Sequence, residues 1–342
     1  MIMVIFGAGA SYDSVPSRPP SKFPRESIDS RQPLAKELFL NTGFFADAMS
    51  NFSECHPIVP YLQNVPDGQT LEHMLETLRS EAETDPKRKR QLAAVQYYLH
   101  FMLWECERRW HDVTFGITNY VTLLDQLRRS CGAGDTVSIV TFNYDRMIES
   151  ALLSIGVRME LLPQYISHDA FKLFKLHGSV HWGREVETPI DNVESRNVWQ
   201  ISRELIQRAN ELKISTRFHI VQEHPIGKIG DIPLFPAIAI PVETKEEFEC
   251  PKDHLECLRT LLPTVTKILI VGWRGTEYNF LDLLKESLTE EVPTLVVAEK
   301  KSAAEEVIDR MQEAGVQVIG ELVHNGFTGF VVNREAEDFF RR

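Results

Sequence analysis

Short apolar runs that alternate with helix-period segments dominate this chain of 342 residues. The run IMVIF (2–6) is β-branched and aromatic and stops at Gly7, which is typical of a buried strand. TVSIVTF (136–142), VRMELL (157–162) and FKLFKL (171–176) are predicted to be strands for the same reason. Further strands are predicted at PAIAIP (236–241), KILIVG (267–272), TLVVAE (294–299) and VQVIG (316–320).

Helical segments separate these later strands, and repeated strand–helix–strand units predict a parallel sheet covered by helices on both faces. Residues 34 to 129 carry apolar positions at three- and four-residue spacing, so this block is predicted to be mainly helical, most clearly around 90–110. Helices are also expected over 145–155 and near 198–213. The segment 14–33 is rich in proline, which disfavours a long helix, so it is predicted to be a loop. Loops of this length often have a function.

The charge and cysteine content narrow the class of protein. The formal net charge of −12 argues against passive binding of DNA or RNA, which depends on basic side chains. The five cysteines are scattered without a CxxC pair, so neither a disulfide scaffold nor a four-cysteine zinc site is expected. They are Cys55, Cys106, Cys131, Cys250 and Cys257.

Hydrophobic runs of membrane-spanning length do not occur in the sequence. The N-terminal apolar run lacks a preceding basic residue and contains glycines where a signal-peptide core would continue. We therefore expect a cytoplasmic protein in a reducing compartment.

The stretch GAGAS follows the first predicted strand. Gly7 suits a tight turn there, and Gly9 would let backbone amides approach a pyrophosphate. An ordinary glycine turn is the alternative. Tyr12 occupies the position of the third glycine of a dinucleotide fingerprint, and the proline-rich loop replaces the regular helix, so a standard dehydrogenase is not expected.

Polar residues follow two further strands. TFNYD places Asn143 and Asp145 after the strand 136–142, where they point to a ligand crevice or cap a helix. KLHGS places His177 after the next strand, where it could act as a general base or be a structural histidine. His181 raises the possibility of a metal pair, which lacks an evident third ligand.

The stretch IVGWRGTEYN (270–279) ends another strand in a glycine turn. Arg274 could contact phosphate or ribose, or lie on the surface beside a helix start. Four such signals at successive strand ends of one sheet indicate a common ligand site more strongly than any one of them.

In their order along the chain, GAGAS, TFNYD, KLHGS and the late strand ending in VGW resemble the sirtuin-like superfamily. The resemblance is to its bacterial branch of NAD-consuming proteins used in defence against phages, and it covers nearly the whole chain. RQPLAKELF after the glycine loop and the PAIAIP strand also fit that branch.

The resemblance implies roles for individual residues. Asn143 matches the asparagine that orients the water or the ribose at the glycosidic carbon, and His177 matches the catalytic histidine. The nucleotide-binding residues implied by the resemblance are Gly7, Ala8, Gly9, Ser11, Asp145 and Gly272. Further candidates at the same strand ends are Thr141, Trp273 and Arg274. The sequence departs from the family at two positions. Arg274 stands where the family often has a small hydroxyl residue, and Asn279 stands where it often has an acid.

The fold class implied is α/β, with a Rossmann-like, mostly parallel sheet, helices on both faces and a helical insertion. The sirtuin-type core is assigned to residues 1–33 and 131–342, and the insertion to 34–130. Protein deacylases of the superfamily carry four zinc cysteines after the catalytic histidine, whereas no cysteine occurs between His177 and Pro236. A zinc-ribbon module, and any metal, is therefore not expected.

The function implied is hydrolysis of NAD+ to ADP-ribose and nicotinamide by an NADase that depletes NAD when activated in abortive infection. The loop 14–33 is expected to close over the site. An NAD-dependent deacylase and a non-catalytic sensor of NAD or ADP-ribose remain alternatives, and a nuclease is disfavoured by charge. The implied partners are further copies of the chain, a HerA-type ATPase or an Argonaute-like protein, with block 34–130 as an oligomer surface or a lid.

Overall fold

A computed structural model describes residues 1–22, 30–41, 43–130, 132, 135–242 and 247–341. The strands of this part are β1 Ile2–Phe6, β2 Val137–Thr141, β3 Phe171–Lys175, β4 Gly178–Val186, β5 Ile214–Ile220, β6 Lys228–Ile229, β7 Ile232–Ile238, β8 Lys267–Val271, β9 Val292–Val297 and β10 Val318–Val323. Its α-helices are α1 Ala8–Tyr12, α2 Phe44–Ser50, α3 Val59–Gln63, α4 Leu71–Ala82, α5 Pro86–Thr114, α6 Asn119–Ser130, α7 Met147–Ser154, α8 Gln164–Ser167, α9 Val198–Gln207, α10 Lys252–Leu261, α11 Tyr278–Ser287, α12 Lys301–Glu313, α13 Gly326–Val332 and α14 Glu335–Arg341.

Six strands form a parallel sheet in the order β10-β9-β8-β1-β2-β3. Renumbered within the sheet, this is the 3-2-1-4-5-6 order of the Rossmann fold, so the predicted fold class is confirmed. The strand order reverses between β1 and β8. Phe6 pairs with Thr141 on one side and with Val271 on the other, so the carboxyl ends of the central strands are level.

Helices cover both faces of this sheet, as the unbroken apolar strands require. Met3 and Ile5 belong to a buried cluster that includes Phe280 of α11 and Val307 of α12. Phe6, which points to the opposite face, meets the aromatic rings of α6 and α13 at centroid distances of 5.0 and 6.1 Å. The period-two alternation along β1 therefore separates two helical layers.

By their contacts, the residues divide into two compact units. The first holds the parallel sheet and comprises 1–28, 109–177 and 245–342; the second comprises 29–108 and 178–244. The predicted core had included 178–244, but in the structure this segment clusters with the helical block, and residues 109–130 join the core instead.

The second unit contains an antiparallel sheet in the order β5-β4-β7-β6. The long helix α5 packs on it: the Tyr97 hydroxyl donates to Leu234 O at 3.1 Å, and Gln96 Nε2 donates to Ile238 O at 3.3 Å. The predicted strand 236–241 thus belongs to this antiparallel sheet, as part of β7, and not to the parallel one.

The predicted strand 157–162 is wrong. The chain turns there, because the Gln164 side chain accepts hydrogen bonds from the amides of Glu160 and Leu161 at 2.7 and 3.0 Å. Leu161 is 61% exposed, so its apolar side chain does not belong to a core. The helix expected over 198–213 ends earlier, at Gln207.

In the described part of the chain, no helix has both the length and the apolar character needed to cross a bilayer. Of the loop 14–33, residues 23–29 lie outside the described residues, and so does Cys131.

Candidate functional site

Two glycine turns meet where the strand order reverses. Gly7 follows β1 and Gly272 follows β8; Gly7 N donates to Val271 O at 3.1 Å, and Gly9 N donates to Gly272 O at 3.0 Å. Gly272 has a φ of +64°, a conformation that favours glycine. The start of α1 and the end of β8 are therefore joined through their backbones.

Side chains at these positions would collide with the opposite turn. A Cβ on Gly7 would lie 2.6 Å from Gly272 O, and a Cβ on Gly9 would lie 2.9 Å from Gly272 Cα. A Cβ on Gly272 would overlap Ala10 N. The glycines are thus required for the approach of the two turns, a role that the sequence analysis did not foresee. Ala8 remains exposed at the start of α1.

Asn143, just beyond β2, is held by long-range hydrogen bonds. Its Nδ2 lies 3.0 Å from Gly7 O and 2.9 Å from Ser11 Oγ. A backbone carbonyl can only accept, so the atom facing Gly7 must be Nδ2. Nδ2 is thereby committed to the protein, and Oδ1 is the other polar atom of the amide. Because these bonds reach back to β1 and α1, the helix-cap interpretation does not account for Asn143.

Ser11 stands at the centre of this network. Its hydroxyl donates to Asp145 Oδ2 at 2.6 Å and accepts from Asn143 Nδ2, while the Tyr120 hydroxyl lies 2.9 Å away. Since the single proton of Ser11 goes to the carboxylate, Tyr120 must be the donor of that third bond. Burial, together with the charge of Asp145, holds the pKa of Tyr120 well above its usual value, which keeps the phenol a donor. The Ser11 hydroxyl is fully used within the protein.

Further buried residues support this network. Thr141 is fully buried, and its Oγ1 accepts from Asn143 N at 3.1 Å. Asp145 Oδ1 accepts from Met147 N at 3.1 Å, so this carboxylate also begins α7. Lys175 of β3 donates to Asp145 O and forms an ion pair with Glu149 at 3.1 Å. Thr141 and Asp145 therefore orient the loop after β2.

His177, just beyond β3, is 4% exposed. Its ring centroid lies 4.8 Å from that of Phe142, the residue next to Asn143. On its other side Phe142 stacks on Trp273 at 5.5 Å with an interplanar angle of 12°. One aromatic ring thus connects the loop after β2 to His177 and to the turn after β8.

The predicted residues of the late turn separate into two groups. Trp273 is buried, and its Nε1 donates to Glu277 Oε2 at 2.5 Å. Arg274 is exposed, and its carbonyl oxygen accepts from Arg310 of α12 at 2.5 Å. The structure therefore brings Trp273 together with Phe142 and His177, and leaves the Arg274 side chain at the surface.

No group of three or more metal-ligating side chains is arranged to hold a metal ion within the described ranges. His181, considered beside His177 as a metal pair, belongs to β4 in the second unit, where its Nδ1 lies 2.9 Å from Ser179 Oγ.

Two residues of the site were missed by the sequence analysis. Tyr120 belongs to the helical block, where nothing in the periodicity separates it from an ordinary core aromatic. Glu277 lies inside the quoted stretch IVGWRGTEYN, but it precedes α11, so no periodic signal marks it.

No protein-family model and no curated protein matches the sequence. Among solved structures, a Sir2 homologue mutant in complex with ADP-ribose has 13% identity and a TM-score of 0.44, covering 99% of this chain and 91% of that one. A structure on sirtuin substrate affinity has 14% identity and a TM-score of 0.40, covering 98% and 93%. A structure on the mechanism and regulation of Sir2 enzymes has 12% identity and a TM-score of 0.40, covering 99% of this chain and 92% of that one. These TM-scores are below 0.5, so the likeness assigns neither a family nor an activity.

Proposed function

We propose that the protein is an NAD+ hydrolase that cleaves the bond between nicotinamide and ribose to give ADP-ribose and nicotinamide. The observation that carries this proposal is the position of Asn143, which hydrogen-bonds to the glycine turn after β1 and is followed in the sheet by His177 after β3. Rossmann-type sheets bind nucleotides at the carboxyl ends of strands, where the strand order reverses.

The pyrophosphate of NAD would lie at the start of α1. Gly9 N is engaged by Gly272 O, so the phosphate would be bound chiefly at the exposed residue Ala8 and not by Gly9 itself. Backbone amides at the start of a helix favour an anion, and Ala8 is exposed at that position.

Asn143 would orient the attacking water through Oδ1, since Nδ2 is bonded to Gly7 O and Ser11 Oγ. Water attacks C1′ of the ribose, the bond from C1′ to the nicotinamide nitrogen breaks, and its electron pair neutralises the pyridinium ring. His177 takes the proton that the water loses and releases it to solvent. General-base catalysis of this kind contributes about 10²–10⁴-fold to a rate.

A protein that hydrolyses NAD continuously would kill its cell, so we propose that activity is gated in a defence role. Assembly of the chain, or binding of a HerA-type ATPase or an Argonaute-like protein, would supply the signal. Two neighbouring apolar side chains support an oligomer surface in the block 34–130: Phe115 is 81% exposed and Ile117 is 70% exposed. Size-exclusion chromatography with light scattering, combined with an NAD assay, tests this; cleavage by the monomer alone would contradict gating by assembly.

Chromatography of NAD after incubation with the protein, with and without an acyl-lysine peptide, tests the reaction itself. The proposal expects equimolar ADP-ribose and nicotinamide in both samples when the protein is assembled. Nicotinamide release only with the peptide would identify a deacylase. Intact NAD after prolonged incubation of the assembled protein would favour a sensor and would contradict hydrolysis.

A further inference from the structure

Glu277 presents its two carboxylate oxygens to different partners. Oε2 accepts hydrogen bonds from Trp273 Nε1 at 2.5 Å and from Thr276 Oγ1 at 3.3 Å. Oε1 lies 4.0 Å from His177 Nε2. One oxygen is therefore fixed by the turn after β8, and the other is held facing the imidazole.

Burial makes this pairing electrostatically effective. The Glu277 side chain is 14% exposed and that of His177 is 5% exposed. Phe142, which packs against His177, and Trp273, which stacks on Phe142, present apolar rings around the pair. Tyr144 also faces the imidazole, at 6.2 Å between ring centroids. Charges separated by 4 Å interact more strongly where solvent is excluded than in bulk water.

We infer that Glu277 is the positioning residue for His177: its anchored carboxylate orients the imidazole and stabilises the cation formed when His177 takes a proton from the attacking water. This inference rests on the proposed function for its catalytic consequence. The proton balance is simple, since water loses one proton, His177 gains it beside the Glu277 carboxylate, and solvent receives it at the end of the cycle.

A structural role is the competing explanation, because Glu277 also begins α11 and anchors Trp273. The two roles differ in what they do to His177. Loss of an anchor lowers stability, whereas loss of the facing charge lowers the pKa of the imidazole, because a nearby negative charge favours its protonated form.

The test uses Glu277→Gln, which keeps the shape and removes the charge, and Glu277→Asp, which keeps the charge on a shorter side chain. Glu286→Gln removes a carboxylate from the exposed face of the same helix and serves as the control. NMR titration of the His177 ring in the full chain, without NAD, gives its pKa in each protein. The pH profile of NAD cleavage is measured on the same samples.

We expect Glu277→Gln to lower the pKa of His177 by about 1 pH unit and to move the acid limb of the pH profile down by the same amount. The kcat should fall about tenfold with KM for NAD little changed, because the interaction forms during proton transfer. Glu277→Asp should recover part of the shift and part of kcat, and Glu286→Gln should match the wild type.

An unshifted His177 titration in Glu277→Gln would overturn the inference, as would equal loss of activity in the Gln and Asp variants without any change in pH profile. If Glu277→Gln does not fold, Trp273→Phe removes the shorter of the two hydrogen bonds to Oε2 while keeping a ring against Phe142, and an unchanged His177 titration and kcat there would overturn the inference. If the assembled wild type leaves NAD intact but Glu277→Gln still lowers the pKa of His177, the proposed function is refuted and the pairing of the two side chains stands.

Discussion

Buried polar side chains are used differently in the two units of the molecule. The first unit contains a hydrogen-bond network of Asn143, Ser11 and Tyr120, in which each hydroxyl and amide donor has an acceptor within the protein. In the second unit, His100 is fully buried, and neither of its ring nitrogens has a hydrogen-bond partner among the described residues. Burial lowers the pKa of His100 to about 3.

The surroundings of His100 explain its state. Its ring stacks on His224 at 5.3 Å, and His224 stacks on Trp104 at 4.2 Å. His100 is therefore a neutral, buried side chain, whereas Asn143 is fixed through Nδ2 to Gly7 O and Ser11 Oγ. The comparison teaches that burial alone does not make a site. A site also needs polar side chains that hydrogen bonds within the protein hold in one orientation.

Removal of the two proposed catalytic groups should have the largest effect. Asn143→Ala and His177→Ala are each expected to lower the rate of NAD cleavage by about 10²–10⁴-fold, since each removes an interaction with the reacting atoms. Product chromatography measures this, and thermal unfolding shows whether the variants remain folded. Asn210→Ala, at an exposed asparagine of the second unit, is the control. Wild-type turnover by His177→Ala would contradict the assignment.

A side chain at the late glycine turn should damage the first unit. Gly272→Ala is expected to lower the free energy of unfolding by about 3 kcal/mol, because it adds backbone strain to a collision with Ala10 N. Gly230→Ala is the matched control: its φ is +59°, but nothing lies within 4 Å of its Cβ. That variant should lose only about 1 kcal/mol. Urea titration measures the unfolding free energy of both variants. An equal loss in Gly272→Ala and Gly230→Ala would mean that the turns at Gly7 and Gly272 do not constrain each other.

Acid should destabilise the protein through His100. In the unfolded chain this histidine binds a proton near the ordinary pKa of 6.5, but in the folded protein it does so only near 3, so stability is complete above about pH 6.5 and falls between these values. From pH 7.5 to pH 5 this contribution amounts to about 2 kcal/mol.

His100→Met should remove that part of the acid sensitivity while keeping an apolar side chain of similar size. His254, whose pKa burial also lowers, would retain its own contribution in both proteins. Urea unfolding at several pH values measures the difference, and identical pH dependence in the two proteins would show that His100 is hydrated or hydrogen-bonded in solution.

The smallest effect is expected at Tyr120. Tyr120→Phe removes the donor to Ser11 but keeps the ring against Phe6, so a loss of about 1 kcal/mol in unfolding free energy is predicted. Tyr61→Phe, at a tyrosine that is 67% exposed, should change nothing measurable. A similar stability for both variants in chemical denaturation would show that Ser11 does not need the Tyr120 hydroxyl.

The sequence was most informative where apolar runs ended in chemically distinctive residues. The runs at β1, β2, β3 and β8 predicted four of the six strands of the parallel sheet, and the residues after them lie at its carboxyl edge. Period and length suffice for such strands, because burial on both faces leaves continuous apolar segments.

The second unit was hard to predict because its strands lack that signature. β5 has the sequence ISTRFHI, which mixes exposed and buried positions, and β4 begins directly after the His177 turn without a break in composition. The partners within the first unit's network were equally hidden, since Tyr120 and Asn143 meet only after the chain has folded.

A crystal structure of His177→Ala bound to unreacted NAD would test the central claim most directly. The account predicts the pyrophosphate at the start of α1, next to the joined Gly7 and Gly272 turns, and C1′ of the nicotinamide ribose within one water molecule of Asn143 Oδ1. The attacking water would lie about 3–3.5 Å from C1′. NAD bound away from these two turns, or with its nicotinamide ribose turned from Asn143, would contradict it.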